Sequence, residues 1–567
     1  MQAGFDETFD VVVAGSGAGG MAAALTAAHH GLSVVVVEKA AQFGGSTATS
    51  GGAVWIPGNP HLAEVGLTDS REAVTAYLRA ILGNRYRDEM IDAFLSRGPE
   101  MVAFMEAHTA LAFLPRAVSP DYQPDLPGAA AGGRTIDPAP FDGRDLGADF
   151  ALLRPPLKEF LVFGGMMVNR KDIDTLLGGF RSVKNFVGSA QLVLRFLADR
   201  LRYPRGTRLL MGNALAGRLL KSARQKAIPI RLCAAAEDVV IEDGRVTGLE
   251  VVEYRVRRRL GARRGVVLAT GGFPGSAVLR ARLLPHAEVH VSVAPADNQG
   301  EGITLARRAG ARLGEDNFGN AFWTPVSVMK NADGSETTFP HLILDRAKPG
   351  LVAVDQTGRR FVNEATSYHE FVEAMHRAHE TRPAIPAWLV CDARFLRTYG
   401  LGLVRPGRRP LGAFLTSGYL VEAETLGGLA QKMGVEPVAL EETVAGMNEA
   451  ARTGIDPAFG KGANAYNRYL GDAGHTPNPC LGPVETAPFY AVRVYPGDIG
   501  TAAGLVTDGR ARVLDGAGAV IPGLYAAGND MHSIMAGAYP AAGITLGPAL
   551  TFGYIAGLDL AAAGEAR

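Results

Sequence analysis

The first residues with the types and spacing for chemistry are three glycines near the start of the chain. Gly15, Gly17 and Gly20 follow the pattern Gly-x-Gly-x-x-Gly, and an acidic residue, Glu38, comes later. In this pattern the first glycine makes a turn, the second lets a pyrophosphate approach the backbone, and the third allows close helix–strand packing. N–H groups at a helix N-terminus attract the anion. Because Glu38 is expected to accept hydrogen bonds from an adenosine ribose, the motif predicts a dinucleotide site.

The elements that must position this motif are readable on either side of it. The apolar run at 9–14 precedes the glycines as a buried strand should, and residues 21–30 have helical character. A second apolar run ends at Glu38, which completes a β–α–β unit. Further along, a hairpin with its turn at 243–244 and a strand at 265–273 are predicted.

The composition of the sequence changes between about 325 and 490, where prolines and aromatic residues are more frequent. The pattern of an apolar strand followed by glycine, seen at the start of the chain, recurs in GLYAAGNDMHS at 523–533. The predicted fold class is therefore α/β with an α+β second domain. A Rossmann-like domain is expected from 1–324 and 490–567, with a basic insertion at about 156–221, and residues 325–489 form an inserted catalytic domain.

Three more clusters of small residues indicate which dinucleotide binds. GGSTATSGG, ATGG and AAGND lie at 44–52, 269–272 and 526–530. A nicotinamide site does not need contacts spread over the whole chain, whereas the longer and more deeply buried FAD does. Beyond Gly15, Gly17, Gly20 and Glu38, the residues expected to contact FAD are Ala18, Lys39, Gly45, Ser46, Ser50, Gly51, Gly52, Thr270, Gly271, Gly528, Asn529, Gly543 and Leu546.

These segments carry a family resemblance. VVVAGSGAGGMAAALTAA, EKAAQFGGSTATSGG, VVLATGGF and GLYAAGND resemble the FAD-binding segments of the succinate dehydrogenase/fumarate reductase flavoprotein superfamily. Members with covalent FAD carry a histidine near the GGS segment, where this chain has Ser46 and Thr47. The resemblance therefore implies FAD held without a covalent bond.

Three tyrosine segments are similar to motifs of the 3-ketosteroid Δ1-dehydrogenase branch. They are SPDYQPDLPGA with Tyr122, RRFVNEATSYHEF with Tyr368, and GAYPAAGITLGPALTFGY with Tyr539 and Gly543. The resemblance implies that Tyr539 O–H and Gly543 N–H hold a ketone oxygen, Tyr368 takes the α-proton, Tyr122 assists, and flavin N5 accepts the hydride. The last segment departs from the family pattern mainly by alanine at 541 and 542. The implied activity is FAD-dependent 1,2-desaturation of a 3-ketosteroid or a related cyclic ketone.

This chemistry explains why tyrosines would be wanted. Removing hydrogens from adjacent carbons beside a ketone requires a polarised carbonyl, a base for the α-proton and a hydride acceptor. Because the pKa of tyrosine is ordinarily about 10, a tyrosine base needs a neighbouring donor or positive charge. An alkaline activity optimum is expected.

Other functions stay open at this point. The same superfamily includes 3-ketosteroid Δ4-(5α)-dehydrogenases and desaturases of smaller oxocyclohexane rings. A fumarate reductase-like enzyme would need cations that converge on two carboxylates, and Arg346, Arg359, Arg360 and His341 are candidates. A flavoprotein subunit that only relays electrons is a further alternative. The electron acceptor and the oligomeric state are not fixed by the sequence.

Charge and cysteine content bear on partners and location. Formal net charge is zero, which argues against nucleic acid. Cys233, Cys391 and Cys480 are widely spaced, so neither a disulfide framework nor a metal site is expected and a cytoplasmic location is predicted. Residues 531–558 carry no charged side chain, but their glycines and prolines favour buried protein over a membrane span.

A basic and apolar stretch stands out at 181–221. It carries nine Lys or Arg residues and one Asp, interleaved with runs such as LVLRFLADRL. A basic amphipathic helix of this kind suits peripheral contact with an anionic membrane, which would help an enzyme whose substrate partitions into lipid. A solvated helix that covers the nucleotide domain is the alternative.

Overall fold

The computed structural model of the chain describes residues 4–169, 172, 175–176, 182–408 and 410–563. The strands in these residues, numbered along the chain, are β1 (Glu7–Ala14), β2 (Val34–Val37), β3 (Val54–Trp55), β4 (Phe113–Pro115), β5 (Thr135–Pro138), β6 (Phe141–Asp142), β7 (Leu161–Val162), β8 (Met166–Met167), β9 (Arg208–Leu209), β10 (Ile230–Arg231), β11 (Ala234–Glu242), β12 (Arg245–Glu253), β13 (Val256–Leu268), β14 (Val291–Ser292), β15 (Leu313–Gly314), β16 (Ala321–Lys330), β17 (Glu336–Pro340), β18 (Leu351–Val354), β19 (Ala387–Asp392), β20 (Leu420–Ala423), β21 (Phe489–Thr501), β22 (Gly504–Leu505), β23 (Arg512–Leu514) and β24 (Val520–Ala526).

The α-helices in the same residues are α1 (Ala18–His29), α2 (Gly45–Thr49), α3 (Arg71–Leu82), α4 (Asp88–His108), α5 (Val183–Arg200), α6 (Met211–Gln225), α7 (Ala277–Leu283), α8 (Glu301–Arg308), α9 (Tyr368–His379), α10 (Ala393–Tyr399), α11 (Gly412–Thr416), α12 (Leu426–Met433), α13 (Pro437–Thr453), α14 (Ala465–Leu470) and α15 (Leu546–Ala562).

The first large sheet is built around β1 and confirms the predicted Rossmann-like unit. Its order is β10-β2-β1-β13-β12-β11, and β24, with β23 beside it, pairs with the carboxyl end of β13. The neighbours from β10 to β13 and the pair β13–β24 are parallel, whereas β12, β11 and β23 pair antiparallel. Val11 of β1 is opposite Val34 on one side and Gly265 on the other. The valine runs of β1 and β2 are fully buried, as expected for parallel strands that are covered on both faces.

The predicted hairpin is confirmed, and the strand after it is longer than predicted. Glu242 pairs with Arg245, so Asp243 and Gly244 form a two-residue turn in which both residues have positive φ. The arginine-rich residues 256–264 follow the turn of a second hairpin, in which Glu253 pairs with Val256, and Arg257 and Arg263 are exposed. They belong to β13, because this strand pairs with β12 through its first half and with β1 along most of its length.

The C-terminal helix α15 packs directly on α1. A Cβ on Gly553 would lie 2.2 Å from the backbone oxygen of Gly19, and a Cβ on Gly557 would lie 2.6 Å from Thr26. Only small residues permit this backbone approach. Segment 531–558 is largely buried, as predicted. None of the described helices is both long and apolar enough to cross a membrane.

The second large sheet has β21 near its centre. Its order is β17-β16-β21-β19-β18, and β14 and β20 also pair with β21. Helix α9, which begins at Tyr368, packs against β16 of this sheet. Because β16 begins before 325 and β21 continues past 490, the sheet includes residues on both sides of the predicted boundaries. The exact division into domains stays a prediction.

The basic stretch at 181–221 divides into two different helices. Helix α5 exposes large apolar side chains, whereas α6 is mostly buried. A Cβ on Gly52 would lie 2.3 Å from the backbone of Met211, so α6 begins against the GGSTATSGG segment. Of the two helices, α5 is therefore the one that could contact a membrane, and this contact stays a prediction. Residues 170–171, 173–174 and 177–181 of the predicted insertion lie outside the described residues.

Candidate functional site

The glycine motif lies where β1 ends and α1 begins. Gly15 has φ of +108°, and a Cβ there would be 2.1 Å from the backbone oxygen of Ala269. A Cβ on Gly20 would be 2.2 Å from Gly15 O. Around Gly17 the nearest atom to such a Cβ would be Thr47 Oγ1, at 3.6 Å. Packing thus requires glycine at 15 and 20, whereas Gly17 borders open space of the kind that a ligand can fill.

Glu38 is held at the carboxyl end of β2. Its carboxylate accepts hydrogen bonds from Ser16 N at 3.1 Å, from Ser16 Oγ at 2.7 Å and from Ala40 N at 2.9 Å. Ser16 is the variable residue inside the glycine motif, and the sequence pattern gave it no role. Its Oγ also accepts from Gly44 N at 2.8 Å, so one hydroxyl joins the motif to the second glycine cluster.

The GGSTATSGG segment folds over the start of α1. Ala18 N donates to Thr47 Oγ1 at 2.9 Å, and Ser46 Oγ accepts from Asn298 Nδ2 at 2.9 Å. Ser50 Oγ donates to Thr47 O and accepts from Gly52 N. Gly45 and Gly51 lack any neighbour within 4 Å of the position that a Cβ would take. These two glycines therefore border open space, as Gly17 does.

The ends of β13 and β24 are joined by a buried aspartate that the sequence reasoning missed. Asp530 accepts from Thr270 N at 2.5 Å, from Thr270 Oγ1 at 2.8 Å and from Gly272 N at 3.0 Å. Burial raises the pKa of Asp530. The sequence feature that could have identified Asp530 is its position directly after Gly528 and Asn529 in the AAGND cluster. Lys39 likewise has a partner from outside the motifs, because it forms an ion pair with Glu301.

These contacts bring all four predicted clusters together. Gly19 of α1 is close to the backbone of Gly528, and Asn298 donates both to Ser46 Oγ and to Gly271 O. A Cβ on Gly528 would meet nothing within 4 Å. Small residues thus border open space at the carboxyl ends of the parallel strands, where open α/β sheets bind dinucleotides. The residues present fit FAD, and their individual contacts to it stay predictions.

The three predicted tyrosines meet in a buried cluster. Tyr122, Tyr368 and Tyr539 are each at most 6% exposed. Tyr122 OH donates to Tyr368 OH at 3.2 Å, although the two residues are 246 positions apart. The ring of Tyr539 stacks on Tyr122 with centroids 5.5 Å apart and lies edge-on to Tyr368 at 5.2 Å.

Local structure fixes the tyrosine that starts α9. Ser367 caps this helix, and its side chain and that of Glu370 form a reciprocal capping box. Tyr368 is therefore the first residue of a well-defined helix. Glu370 also accepts from Gln123 Nε2 at 2.7 Å, which joins the helix to the Tyr122 loop.

The Tyr122 loop is anchored to the Tyr539 segment. Tyr122 N donates to Pro540 O at 2.8 Å. The neighbouring Asp121 accepts from Trp55 Nε1 at 3.1 Å and from Arg134 Nη1 at 2.7 Å. Burial raises the pKa of Asp121 to about 6, although Arg134 acts in the opposite direction.

Gly543 lies just before α15 in a conformation that favours glycine. Its φ is +100°, and a Cβ would be 2.6 Å from Trp55 N. Gly543 O accepts from Trp55 N at 3.1 Å and from Gly547 N at 2.9 Å. Its own N–H has no acceptor among the described residues. This leaves a backbone donor available close to Tyr539.

A fourth tyrosine, Tyr466, belongs to the same cluster and was not predicted. It is 2% exposed, and its ring centroid is 4.7 Å from that of Tyr122. No motif marks it in the sequence. Phe322 and His369 complete the aromatic surroundings, with centroids 5.7 and 5.6 Å from Tyr539.

Comparisons with known proteins agree with this geometry. A family model described as an FAD binding domain matches residues 10–546. The chain belongs to this FAD-binding family. It is a flavoprotein and an FAD-dependent oxidoreductase, as the glycine clusters predicted.

Within the FAD-binding family, the chain is similar to enzymes that act on ring ketones. It is 41% identical to the 4-oxocyclohex-2-ene-1-carboxylate 5-dehydrogenase of Sinomonas cyclohexanicum, covering 98% of this chain and 94% of that protein. It is 40% identical to the 3-oxosteroid 1-dehydrogenase of Mycobacterium tuberculosis, covering 98% of both. The crystal structure of 3-ketosteroid Δ1-dehydrogenase from Sterolibacterium denitrificans with 1,4-androstadiene-3,17-dione superposes with a TM-score of 0.91, at 38% identity, covering 98% of this chain and all of that one.

Burial dominates the acid–base properties of the tyrosines in this flavoprotein. It raises the pKa values of Tyr122 and Tyr368 well above their ordinary range. It raises the pKa of Tyr539 only to about 12, because hydrogen bonds with Tyr368 and Thr545 act in the opposite direction. At neutral pH all three hydroxyls are therefore protonated in this state. Tyr539 is suited to donate a hydrogen bond, and a tyrosine base requires further stabilisation of its anion.

The cations proposed for a dicarboxylate site are engaged by groups of the protein itself. Arg359 is exposed and faces Glu442, and Arg360 binds Glu364 and Asp456. His341 lies between Ser327 and Asp345 in a buried hydrogen-bonded chain. The guanidinium of Arg346 donates to four backbone carbonyls. The geometry therefore disfavours a fumarate reductase-like function.

Proposed function

We propose that this flavoprotein desaturates the 1,2 bond of a 3-ketosteroid or a closely related cyclic ketone. The observation that carries the proposal is the contact of Tyr122, Tyr368 and Tyr539 beside the free N–H of Gly543. Relatives of both steroid and oxocyclohexane type support a ring ketone as the substrate class.

The carbonyl oxygen is held by Tyr539 O–H and Gly543 N–H. Both donors are attached to one short segment, and Gly543 is fixed by its backbone bonds with Trp55 and Gly547. Preorganised donors of this kind stabilise the negative charge that develops on the oxygen when the α-proton leaves. The proton on the α-carbon thereby becomes more acidic.

The α-proton passes to the Tyr368 oxygen. The hydrogen bond that Tyr122 donates stabilises the anionic form of Tyr368 and fixes the direction of its lone pair. Bound FAD supplies the hydride acceptor for the neighbouring carbon. Burial of the cluster excludes water from the reacting carbons.

Two charged side chains near the cluster already have partners within the protein. Arg116 is bound at 2.6 Å by both oxygens of Asp137, and Glu370 accepts from Gln123 and Ser367. A substrate carboxylate among the tyrosines would be left without a free cation from these side chains, and an unpaired buried charge is costly. An oxocyclohexanecarboxylate stays the second candidate because of the relative at 41% identity.

Anaerobic mixing of the purified yellow protein with candidate substrates tests the proposal. The panel is androst-4-ene-3,17-dione, a saturated 5α-3-ketosteroid, 4-oxocyclohexanecarboxylate and succinate. We expect the steroids to bleach the flavin fastest, with a 1,2-unsaturated product. Fastest bleaching by the cyclohexane acid would select the second candidate, and absence of bleaching by any ketone would refute a desaturase.

We further propose that α5 rests on an anionic membrane surface in the cytoplasm. Its exposed apolar side chains recur at helical spacing and continue past the helix end; they are Phe186, Val187, Leu194, Leu197 and Leu201. Exposed Lys184, Arg200 and Arg202 flank this face. Phe163, in the turn between β7 and β8, is exposed as well.

Co-sedimentation with phosphatidylglycerol vesicles at low salt tests this contact. Binding is expected for the unaltered protein and is expected to fall at least tenfold for Leu194→Ser/Leu197→Ser, because two apolar anchors are lost. Val438→Ser, an exposed apolar position on α13, serves as the control that keeps binding. Equal binding of the double variant, or no binding of the unaltered protein, would refute the membrane contact.

A further inference from the structure

Arg346 is a buried cation without a carboxylate partner. It is 2% exposed. Its guanidinium donates to four backbone carbonyls, at 2.8 to 3.1 Å, which belong to His341, Leu342, Glu364 and Thr366. Among the described residues it forms no ion pair.

Some buried arginines among the described residues are neutralised, whereas Arg205, which is also buried, donates to Asn213 Oδ1 and forms no ion pair there. Arg134 pairs with Asp69 and Asp121, and Arg360 pairs with Glu364 and Asp456. Charged side chains are rarely buried without a counter-charge, because desolvation is then uncompensated. An anion that forms beside Arg346 during the working cycle would offset this cost.

The nearest groups able to form such an anion are the tyrosines. Asn467 Nδ2 donates to Ala365 O, the carbonyl between the two that hold Arg346 Nη1. This bond places Tyr466, the preceding residue, next to the segment that holds Arg346. From Tyr466 the cluster continues by ring contact to Tyr122 and by hydrogen bond to Tyr368.

We propose that Arg346 is the positive charge that stabilises the ionised form of the tyrosine cluster. It does so as a positioning residue that acts through Tyr466 and Tyr122, without touching the substrate. The inference rests on the proposed desaturation, in which the substrate C–H bond breaks and the proton goes to an ionised tyrosine oxygen. The charge of Arg346 favours that ionised state before substrate is deprotonated.

The other charged and titratable groups around the cluster have competing partners. They are Arg116, His369, Glu370 and Tyr469, with Asp345 and Glu364 flanking Arg346. Arg116 is neutralised by Asp137, His369 Nδ1 accepts from Trp323 N, and Glu370 is held by its capping box. Asp345 is bound by His341, and Glu364 by Arg360. Of the two arginines near the cluster, Arg116 therefore has a direct carboxylate partner and Arg346 has none among the described residues.

The direction of the effect on ionisation follows from these surroundings. Burial raises the pKa of Tyr466, and Arg346 acts in the opposite direction. Removing the charge should therefore move ionisation of the cluster to higher pH. A neighbouring unit charge commonly shifts a pKa by about 1 to 3 units.

The test measures the rate of flavin reduction by androst-4-ene-3,17-dione as a function of pH. Arg346→Gln keeps donors for the carbonyls and Arg346→Met keeps the volume, so whichever variant retains FAD can be used. Arg346→Lys retains the charge. Arg218→Met is the matched control, because Arg218 also donates to three backbone carbonyls and lies over an aromatic ring, that of Phe141.

For a neutral variant we expect the pH–rate profile to shift to higher pH by at least about one unit. Flavin reduction at neutral pH should then be roughly tenfold slower. The difference should close at high pH, and the profile should stay in place for Arg346→Lys and Arg218→Met. A loss that is equal at every pH would overturn the proposal, since a structural role predicts that result.

An ultraviolet difference titration of tyrosinate in the same holoenzymes separates this inference from the proposed function. It needs no substrate. If no ketone bleaches the flavin but the neutral variant ionises at higher pH, the desaturase fails and the role of Arg346 stands. If bleaching occurs and the tyrosine titration is unchanged, the role of Arg346 fails.

Discussion

Tyr539 is set apart from its two partners by its hydrogen bonds. Its pKa is raised to about 12, whereas those of Tyr122 and Tyr368 rise well above the ordinary value. A more acidic phenol is a stronger donor to an oxygen that is becoming negative. The residue that resemblance assigned to the carbonyl is thus also the one whose surroundings suit donation.

Removal of this hydroxyl is a direct test at the residue scale. Tyr539→Phe should slow flavin reduction by androst-4-ene-3,17-dione about a hundredfold or more, because one of two carbonyl donors is lost. The visible spectrum of bound FAD should be unchanged. Tyr490→Phe is the control, since Tyr490 pairs with Glu422 on the second sheet and lies outside the cluster. Equal slowing in both variants would contradict the assignment.

At the scale of elements, the packing of α15 on α1 is the contact that unites the two ends of the chain. Gly553 lies against Gly19 O, and Gly557 lies against Thr26. Helices at this separation have no room for a side chain between them. The turn predicted to bind the pyrophosphate directly precedes α1, so this pairing also holds the predicted FAD site in place.

Two separate glycine-to-alanine substitutions test this packing. Gly553→Ala should lower the melting temperature by several degrees and weaken FAD retention, because its Cβ would lie 2.2 Å from Gly19 O. Gly446→Ala, in the exposed middle of α13, meets nothing within 4 Å and should stabilise the protein by about 0.5–1 kcal/mol. Thermal unfolding of both holoenzymes provides the comparison. Similar melting temperatures in the two variants would contradict the close contact.

For the whole molecule, the buried tyrosines link stability to alkaline pH. Their pKa values are raised in the folded state, so the folded protein retains protons that the unfolded chain releases above about pH 10. The contribution is complete below that pH and is lost as pH rises towards the folded values. In that range each buried tyrosine should lower the free energy of unfolding by about 1.4 kcal/mol per pH unit.

Denaturant unfolding at about pH 8 to 11 measures this loss. The unaltered protein should lose stability steeply above about pH 10. Tyr122→Phe should show a shallower loss, because one buried phenol no longer titrates. Identical slopes for the two proteins would exclude the cluster as the source.

The sequence by itself determined the FAD-binding unit. Gly15, Gly17, Gly20 and Glu38 lie in one short β–α–β unit, where local spacing and strand pattern fix the geometry. The hairpin at 243–244 was predictable for the same local reason. The start of β13 at Val256 was not, because it depends on pairing with β12 and the exposed arginines there carry no strand pattern.

Only the tertiary structure decided how the distant side chains combine. Tyr122 and Tyr368 were suggested separately by resemblance, but their hydrogen bond depends on packing between segments 246 positions apart. Tyr466 joins them through contacts that no local pattern records. Asp530 and Arg346 became informative only when their partners were known, since a hydrogen bond or a missing counter-charge is a property of the folded chain.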